Sequence, residues 1–199
     1  MSIPGPEQIT AVVLAGGQGR RMGGRDKGLV AFAGRPMVAH VVAALRPQTG
    51  RLLINANRNA PDYAAFGYPV QADAVSGFEG PLAGMASAMA AVDTPWIVTA
   101  PCDCPFIDPA LVPRLAAAVT GPETLAVAHD GERLQPVFAL LPVTLRADLE
   151  AFLAAGERKI DRWYARHAMV PVDFSDNRRM FDNLNTPEDL REAEAALAR

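Results

Sequence analysis

ITAVVLAGGQGRRMGGRDK, residues 9–27, carries both the fold class and the chemistry of this chain. Its first seven residues are uncharged, apolar except for Thr10, and rich in β-branched side chains, the pattern of a strand buried on both faces. The apolar run stops at Gly16-Gly17, and a long glycine-rich loop follows. Glycines at 16, 17, 19, 23 and 24 let the backbone approach a ligand closely and point N–H groups at it. Arg20, Arg21, Arg25 and Lys27 place fixed positive charge among those amides. Arginine forks grip oxygens in pairs and lysine acts as a point charge, so the loop suits a polyphosphate. A plain surface turn needs neither so many glycines nor so many cations.

Two common phosphate loops do not fit. The dinucleotide fingerprint G-x-G-x-x-G fails because Met22 stands where the third glycine belongs. The pattern G-x-x-x-x-G-K-[ST] has its glycines at 19 and 24, but Arg25-Asp26 follows them.

Further along, strand and helix signals alternate. Residues 51–56, 69–72, 96–100, 125–128 and 169–174 read as strands. Residues 36–45, 81–92, 111–119 and 145–153 carry apolar side chains at helical spacing. Residues 186–197 form a closing helix with Thr186 as its cap, Pro187 in the first position and acids in the first turn. This rhythm predicts one α/β domain with a mostly parallel sheet and helices on both faces. Asp130-Gly131, ahead of a strand at 136–141, predicts at least one antiparallel strand. Residues 1–8 are expected to be a flexible lead.

Composition narrows the function. The chain has 199 residues, half of them apolar, and a net charge of −3. That is enough for one domain with a sizeable core, and it lacks the basic excess of a nucleic-acid surface. No uncharged apolar run reaches the length of a membrane span, and the N-terminus has no signal-peptide core. Cys102 and Cys104 are the only cysteines, too few for a disulfide framework. A cytoplasmic protein is expected.

A second constellation stands at the end of the 96–100 strand, where the chain runs into Pro101-Cys102-Asp103-Cys104-Pro105. Ligands of parallel sheets sit beyond the carboxyl ends of the strands, which puts Asp103 on the same edge as the glycine loop. A carboxylate facing a triphosphate is repulsive unless a cation lies between them. Mg²⁺, which takes one or two carboxylates plus phosphate oxygens, meets that need, and Mn²⁺ shares the same hard-oxygen preference. In an extended segment the two thiols point away from Asp103 and read as packed side chains. An isolated Asx-turn aspartate is the plainer alternative. His129 and His167 stand alone and read as structural or surface residues.

L-A-G-G-x-x-x-R-M-G-x-x-x-K, with P-C-D-C-P, resembles the signature of nucleotidyltransferases that activate phosphorylated acceptors with a nucleoside triphosphate. INANR at 54–58, GPLAGM at 80–85, HDGER at 129–133, AGER at 155–158 and NLNTPEDL near the end extend the likeness over almost the whole chain. Together they resemble the molybdenum cofactor guanylyltransferase family. The resemblance implies a three-layer, Rossmann-like nucleotidyltransferase fold and transfer of GMP from GTP to the phosphate of molybdopterin. It implies that Leu14, Ala15 and Gly16 meet the base and ribose. Gly17, Arg20, Arg21 and Lys27 then meet the phosphates, and Asp103 holds Mg²⁺. Asn55 and Asp73 match GTP-contacting positions, and an aspartate can accept the N1–H and N2–H donors of guanine. On the acceptor side the candidates are Arg133, Arg158, Lys159, Asn183 and Asn185. A monomer with transient contacts to cofactor-biosynthesis or molybdoenzyme proteins is expected. Two alternatives stand beside this: a CTP- or UTP-dependent transferase acting on a pterin or sugar phosphate, and a non-catalytic GTP-binding delivery protein.

Overall fold

In the computed structural model, which describes residues 3–16, 26–74 and 80–197, the chain runs β1 (Ile9–Leu14), β2 (Ala31–Phe32), β3 (Arg35–Pro36), α1 (Met37–Leu45), β4 (Arg51–Asn55), α2 (Ala60–Ala64), β5 (Val70–Gln71), α3 (Pro81–Ala91), β6 (Trp96–Pro101), α4 (Leu111–Ala118), β7 (Leu125–His129), β8 (Leu134–Pro142), α5 (Arg146–Ala154), α6 (Ile160–Tyr164), β9 (Met169–Asp173) and α7 (Pro187–Leu197). The main sheet has seven strands in the order β5-β4-β1-β6-β8-β7-β9. β4, β5 and β6 run parallel to β1, directly or through a neighbour. β8 is antiparallel to both β6 and β7, and β9 is again parallel to β7. The Asp130-Gly131 turn thus creates the one reversal in the sheet, as its chemistry predicts.

Alternation along the central strands divides the core into two layers. Ile9, Ala11 and Val13 of β1 face one side with Val98 and Ala100 of β6. There they meet Val38, Val41 and Leu45 of α1 and Leu111 and Leu115 of α4. Val12 and Ile97 face the other side, against Leu82, Met85 and Met89 of α3 and Leu149, Phe152 and Leu153 of α5. Trp163 and Tyr164 of α6 close that layer. Each fully buried aliphatic or aromatic side chain contributes about 1.5–3 kcal/mol, so the paired apolar stripes explain why helices cover both faces.

The short elements escape sequence reading. The β2–β3 hairpin, α2 and α6 are too short for a periodicity to show. The hairpin has a packing role: Phe32 and Met37 bury themselves with Leu184, and Leu190 and Ala193 of α7 pack on them. Pro6–Gln8 form one turn of 3-10 helix, and the Gly50 N–H donates to the Pro6 carbonyl at 2.6 Å. Among the described residues, no helix is long and apolar enough to cross a membrane.

Candidate active site

The parallel strands deliver their carboxyl ends to one edge. In the register of the sheet, Leu14 of β1 stands between Asn55 of β4 and Pro101 of β6. Neighbouring strands lie about 4.8 Å apart, so Asn55 and Pro101 are separated by about 10 Å, the scale of a nucleoside and its first phosphate. The backbone between them is taken up by the sheet: Ala15 N–H donates to the Asn55 carbonyl at 2.8 Å and Cys102 N–H to the Leu14 carbonyl at 3.1 Å.

On the β6 side, Lys27 Nζ lies 3.1 Å from Asp103 Oδ2. The same ammonium donates a short hydrogen bond to Asn185 Oδ1. Lys27 and Asp103 are 76 residues apart and Asn185 comes from the C-terminal region, so three distant segments converge. Each is held from behind. Asp26, just before Lys27, accepts from the Tyr63 hydroxyl and from Asn59 Nδ2 at 3.0 Å. Leu184 N–H donates to the Asp103 carbonyl at 3.0 Å. Asn185 N–H donates to Asp189 Oδ2 at 2.8 Å, and Thr186 N–H reaches the same oxygen at 2.8 Å. Asp189 N–H returns a bond to Thr186 Oγ1 at 3.1 Å, which completes the cap read from the sequence. Those donors, led by Asn185 N–H, hold the Asp189 carboxyl below the usual carboxylate range.

On the β4 side, Asn55 is buried and its Nδ2 donates to Asp73 Oδ1 at 2.9 Å and to the Gln71 carbonyl at 3.0 Å. Asn57 Nδ2 donates to the other carboxylate oxygen, Asp73 Oδ2, at 2.7 Å. Asp73 N–H donates to Asn57 Oδ1 at 2.8 Å. Helix α3 comes so close that a Cβ on Gly84 would sit 2.3 Å from Asn55 Oδ1 and 2.9 Å from Leu14 Cδ2. Asn57 was not singled out in the sequence. It stands beyond the end of β4, where alternation no longer applies, and its partner is 16 residues away. Tyr63 and Asn59 were missed for a similar reason, since their partner Asp26 lies 37 and 33 residues away.

The remaining candidates fall in several places. Gly17, Arg20 and Arg21 lie outside the described residues. Asn183 Oδ1 accepts from the thiol of Cys104, the residue after Asp103, at 3.0 Å. Arg133 sits on the β7–β8 turn at the same sheet edge, 3.6 Å from Asp130 Oδ2, with most of its side chain exposed. Arg158 follows α5 and donates to the carbonyls of Leu153 and Glu157 at 2.8 and 2.7 Å. Lys159 stands at the N-cap position of α6, with no side-chain bond to the helix end. Both cysteines are free and buried, and burial pushes both thiols up, so they stay protonated and packed. His167 pairs with Asp148 at 3.1 Å, and His129 Nδ1 accepts from Gly131 N–H at 3.0 Å.

The model of the MobA-like NTP transferase domain matches residues 11–170. The chain is 51% identical over 192 residues to a molybdenum cofactor guanylyltransferase of Shewanella loihica, a match that spans 96% of this chain and 98% of that one. In structure it resembles molybdopterin-guanine dinucleotide biosynthesis protein A of Archaeoglobus fulgidus, with a TM-score of 0.77 at 23% identity, covering 95% and 98% of the two chains. It also resembles 4-diphosphocytidyl-2C-methyl-D-erythritol synthase of Anaerococcus prevotii, with a TM-score of 0.74 at 14% identity, covering 98% and 97%. The fold is therefore shared by proteins whose names specify different bases. The family model over most of the chain and a half-identical relative of matching length place this chain in the MobA-like NTP transferase family, among the molybdenum cofactor guanylyltransferases.

Proposed function

We propose that the chain transfers the GMP moiety of GTP to the terminal phosphate of molybdopterin, with pyrophosphate as the leaving group and the guanine dinucleotide form of the cofactor as product. Its family makes it a nucleotidyltransferase; the base and the acceptor follow the name its relatives carry. The observation that carries the chemistry is the 3.1 Å pair of Lys27 and Asp103 at the carboxyl edge of the sheet, tied to Asn185.

The nucleophile is an oxygen of the acceptor phosphate, already an anion, so no protein base is needed. It bonds to the α-phosphorus as the bond to the bridging β-phosphate oxygen breaks, and pyrophosphate leaves with that electron pair. Catalysis is then positioning and charge stabilisation. Lys27 offsets the charge that builds on the α-phosphate oxygens, assisted by Arg21, and the loop residues Gly16, Gly17 and Arg20 receive the remaining phosphates. Leu14, Ala15 and Gly16 line the base and ribose. Asn55 and Asp73 stand at the far end, where the Asp73 oxygens accept from guanine N1–H and N2–H. On the acceptor side we assign Arg133, Arg158, Asn183 and Asn185.

The donor set suits Mg²⁺. Asp103 presents one carboxylate with a mostly buried side chain, and among the described residues no group of three or more ligating side chains forms. An ion held there needs phosphate oxygens to complete its shell, which is how Mg²⁺ binds with nucleotides, and Mn²⁺ accepts the same ligands. When bound, it supplies further neutralisation of the phosphates. Lys27 keeps Asp103 paired in the protein alone. We place the enzyme in the cytoplasm as a monomer that meets cofactor-biosynthesis and molybdoenzyme proteins transiently.

Pyrophosphate release from GTP, ATP, CTP and UTP, each with Mg²⁺ and molybdopterin, tests this. Turnover confined to GTP is expected. Equal or faster turnover of CTP or UTP would assign the chain to a different base. GTP binding without pyrophosphate release would make it a delivery protein.

A further inference from the structure

We infer that Asn57 is a specificity-determining positioning residue: it fixes the plane of the Asp73 carboxylate so that both oxygens face the base together. This rests on the assignment of Asp73 as the guanine acceptor.

The geometry is a two-sided clamp. A carboxylate at the end of a short side chain rotates about its last torsion unless both oxygens are held. Here Asn55 Nδ2 holds Oδ1 at 2.9 Å and Asn57 Nδ2 holds Oδ2 at 2.7 Å. Asn57 also receives the Asp73 N–H at 2.8 Å, so its single amide grips backbone and side chain at once. The buried Asn55 is itself tied to the Gln71 carbonyl and packed under α3, which makes it the rigid half of the clamp. Asn57 is exposed and forms the solvent-side half. A Cβ on Gly16 would lie 3.3 Å from Asn57 Nδ2 and 3.6 Å from Asn55 Oδ1, so the two amides sit directly beneath the first residue of the glycine-rich loop. The pair thus links the end of β1, the end of β4 and the residue proposed to read the base.

The chemistry follows from the donors of the ligand. Each carboxylate oxygen accepts more than one hydrogen bond, so the asparagines occupy one site on each oxygen and leave another for the base. Guanine offers N1–H and N2–H side by side, and a carboxylate whose plane is fixed meets both. Inosine keeps N1–H and lacks the 2-amino group. With the plane free, one hydrogen bond survives and the second is lost on average. Asn57 therefore controls the preference for a 2-aminopurine more than binding of the triphosphate.

The test uses equilibrium binding of GTP and ITP with Mg²⁺ to the whole chain, for wild type, Asn57→Ala, Asn57→Asp and Asp73→Ala, with the melting temperature of each. Wild type is expected to prefer GTP over ITP. Asn57→Ala should bring that ratio down by about five- to ten-fold, the worth of one hydrogen bond, while ITP affinity changes little. Asn57→Asp keeps the shape and the acceptor for Asp73 N–H but removes the donor, so it should lose the ratio too. A clamp needed only for the turn would instead tolerate aspartate. If Asp73→Ala changes the ratio and both Asn57 variants keep it, the inference about Asn57 is overturned and the Asp73 assignment stands. If Asp73→Ala also keeps it, the guanine assignment falls, and the role of Asn57 falls with it. A ratio is insensitive to the fraction of folded protein, so modest destabilisation does not obscure the result.

Discussion

Lys27 has two partners of opposite kind, a carboxylate and a neutral amide, and this decides what its removal does. Lys27→Ala takes the charge from the phosphates and leaves Asp103 without its ion pair. We expect pyrophosphate release to fall by about 10²–10³-fold, the usual loss when a preorganised charge-stabilising group is deleted. Circular dichroism should show the fold intact. Near-normal turnover by a folded variant would remove Lys27 from the mechanism. Asp103→Asn keeps the shape and accepts from Lys27 through its carbonyl oxygen, but it loses the negative charge. The Mg²⁺ concentration for half-maximal rate should rise and the rate should drop. An Asx-turn residue would behave otherwise, because asparagine supports such turns as well as aspartate does. A metal titration of the variant separates the two, and an unchanged midpoint speaks for the turn. Lys27 and Asp103 were legible in the sequence because each lies in a local motif with a charge whose placement needs an explanation. Asn57 was not, because its hydrogen-bond partner Asp73 lies 16 positions away.

Two helices show how elements set the site without touching substrate chemistry. Helix α3 approaches β4 closely because Gly84 carries no side chain. A methyl there meets Asn55 Oδ1 at 2.3 Å, and Asn55 is already committed to Gln71 and Asp73. Gly84→Ala should push Asn55 off Asp73 and weaken GTP binding about ten-fold, the order of one charge-assisted hydrogen bond, with a smaller effect on Mg²⁺ dependence. Calorimetric titration with GTP checks this; unchanged affinity would mean the helix moves back instead. Helix α7 carries Asn185 through its cap. The Asp189 carboxyl is held below the usual range chiefly by Asn185 N–H. A depressed folded-state value means that its stabilising contribution is complete above the ordinary carboxylate pKa of about 4 and is lost as pH falls through the lowered value. Asp189→Asn should lower the melting temperature at pH 7 and show a smaller further loss than wild type between pH 5 and pH 3. Melting curves across that range decide it, and parallel pH profiles would reject the assignment. The cap was readable from Thr186 and Pro187. That it also aims a side chain at Lys27 was not, since nothing in a helix signature says what lies before it.

At the scale of the whole molecule, GTP bridging the β4 and β6 ends should stabilise the fold by mass action. At about a hundred times its dissociation constant, GTP with Mg²⁺ adds about 2.7 kcal/mol, or roughly 5–10 °C in melting temperature for a domain of this size. CTP and UTP should give smaller shifts at equal concentration; equal shifts for all three would show that the protein does not read the base. Residues 9–27 by themselves determined much of this molecule: a buried strand followed by a glycine-rich cationic stretch, and hence an α/β sheet with its candidate site at the carboxyl edge. Local physics suffices there, because a nearly continuous, β-branched apolar run admits few structures and glycines interleaved with cations admit few ligands. The alternation of the longer strands and helices along the chain, the packing of the thiols at 102 and 104 and the closing helix were legible for similar reasons, as periodicity and cap chemistry act within a few residues. What only the tertiary structure decided were the meetings of residues from distant segments: Lys27 with Asp103 and Asn185, Asp26 with Tyr63, and Asp73 between Asn55 and Asn57. Such polar contacts have no period and no fixed spacing. They exist because strands pairing in the order β4-β1-β6 bring their ends into a row and the last helix packs back across it, a consequence of how two apolar layers are buried at once.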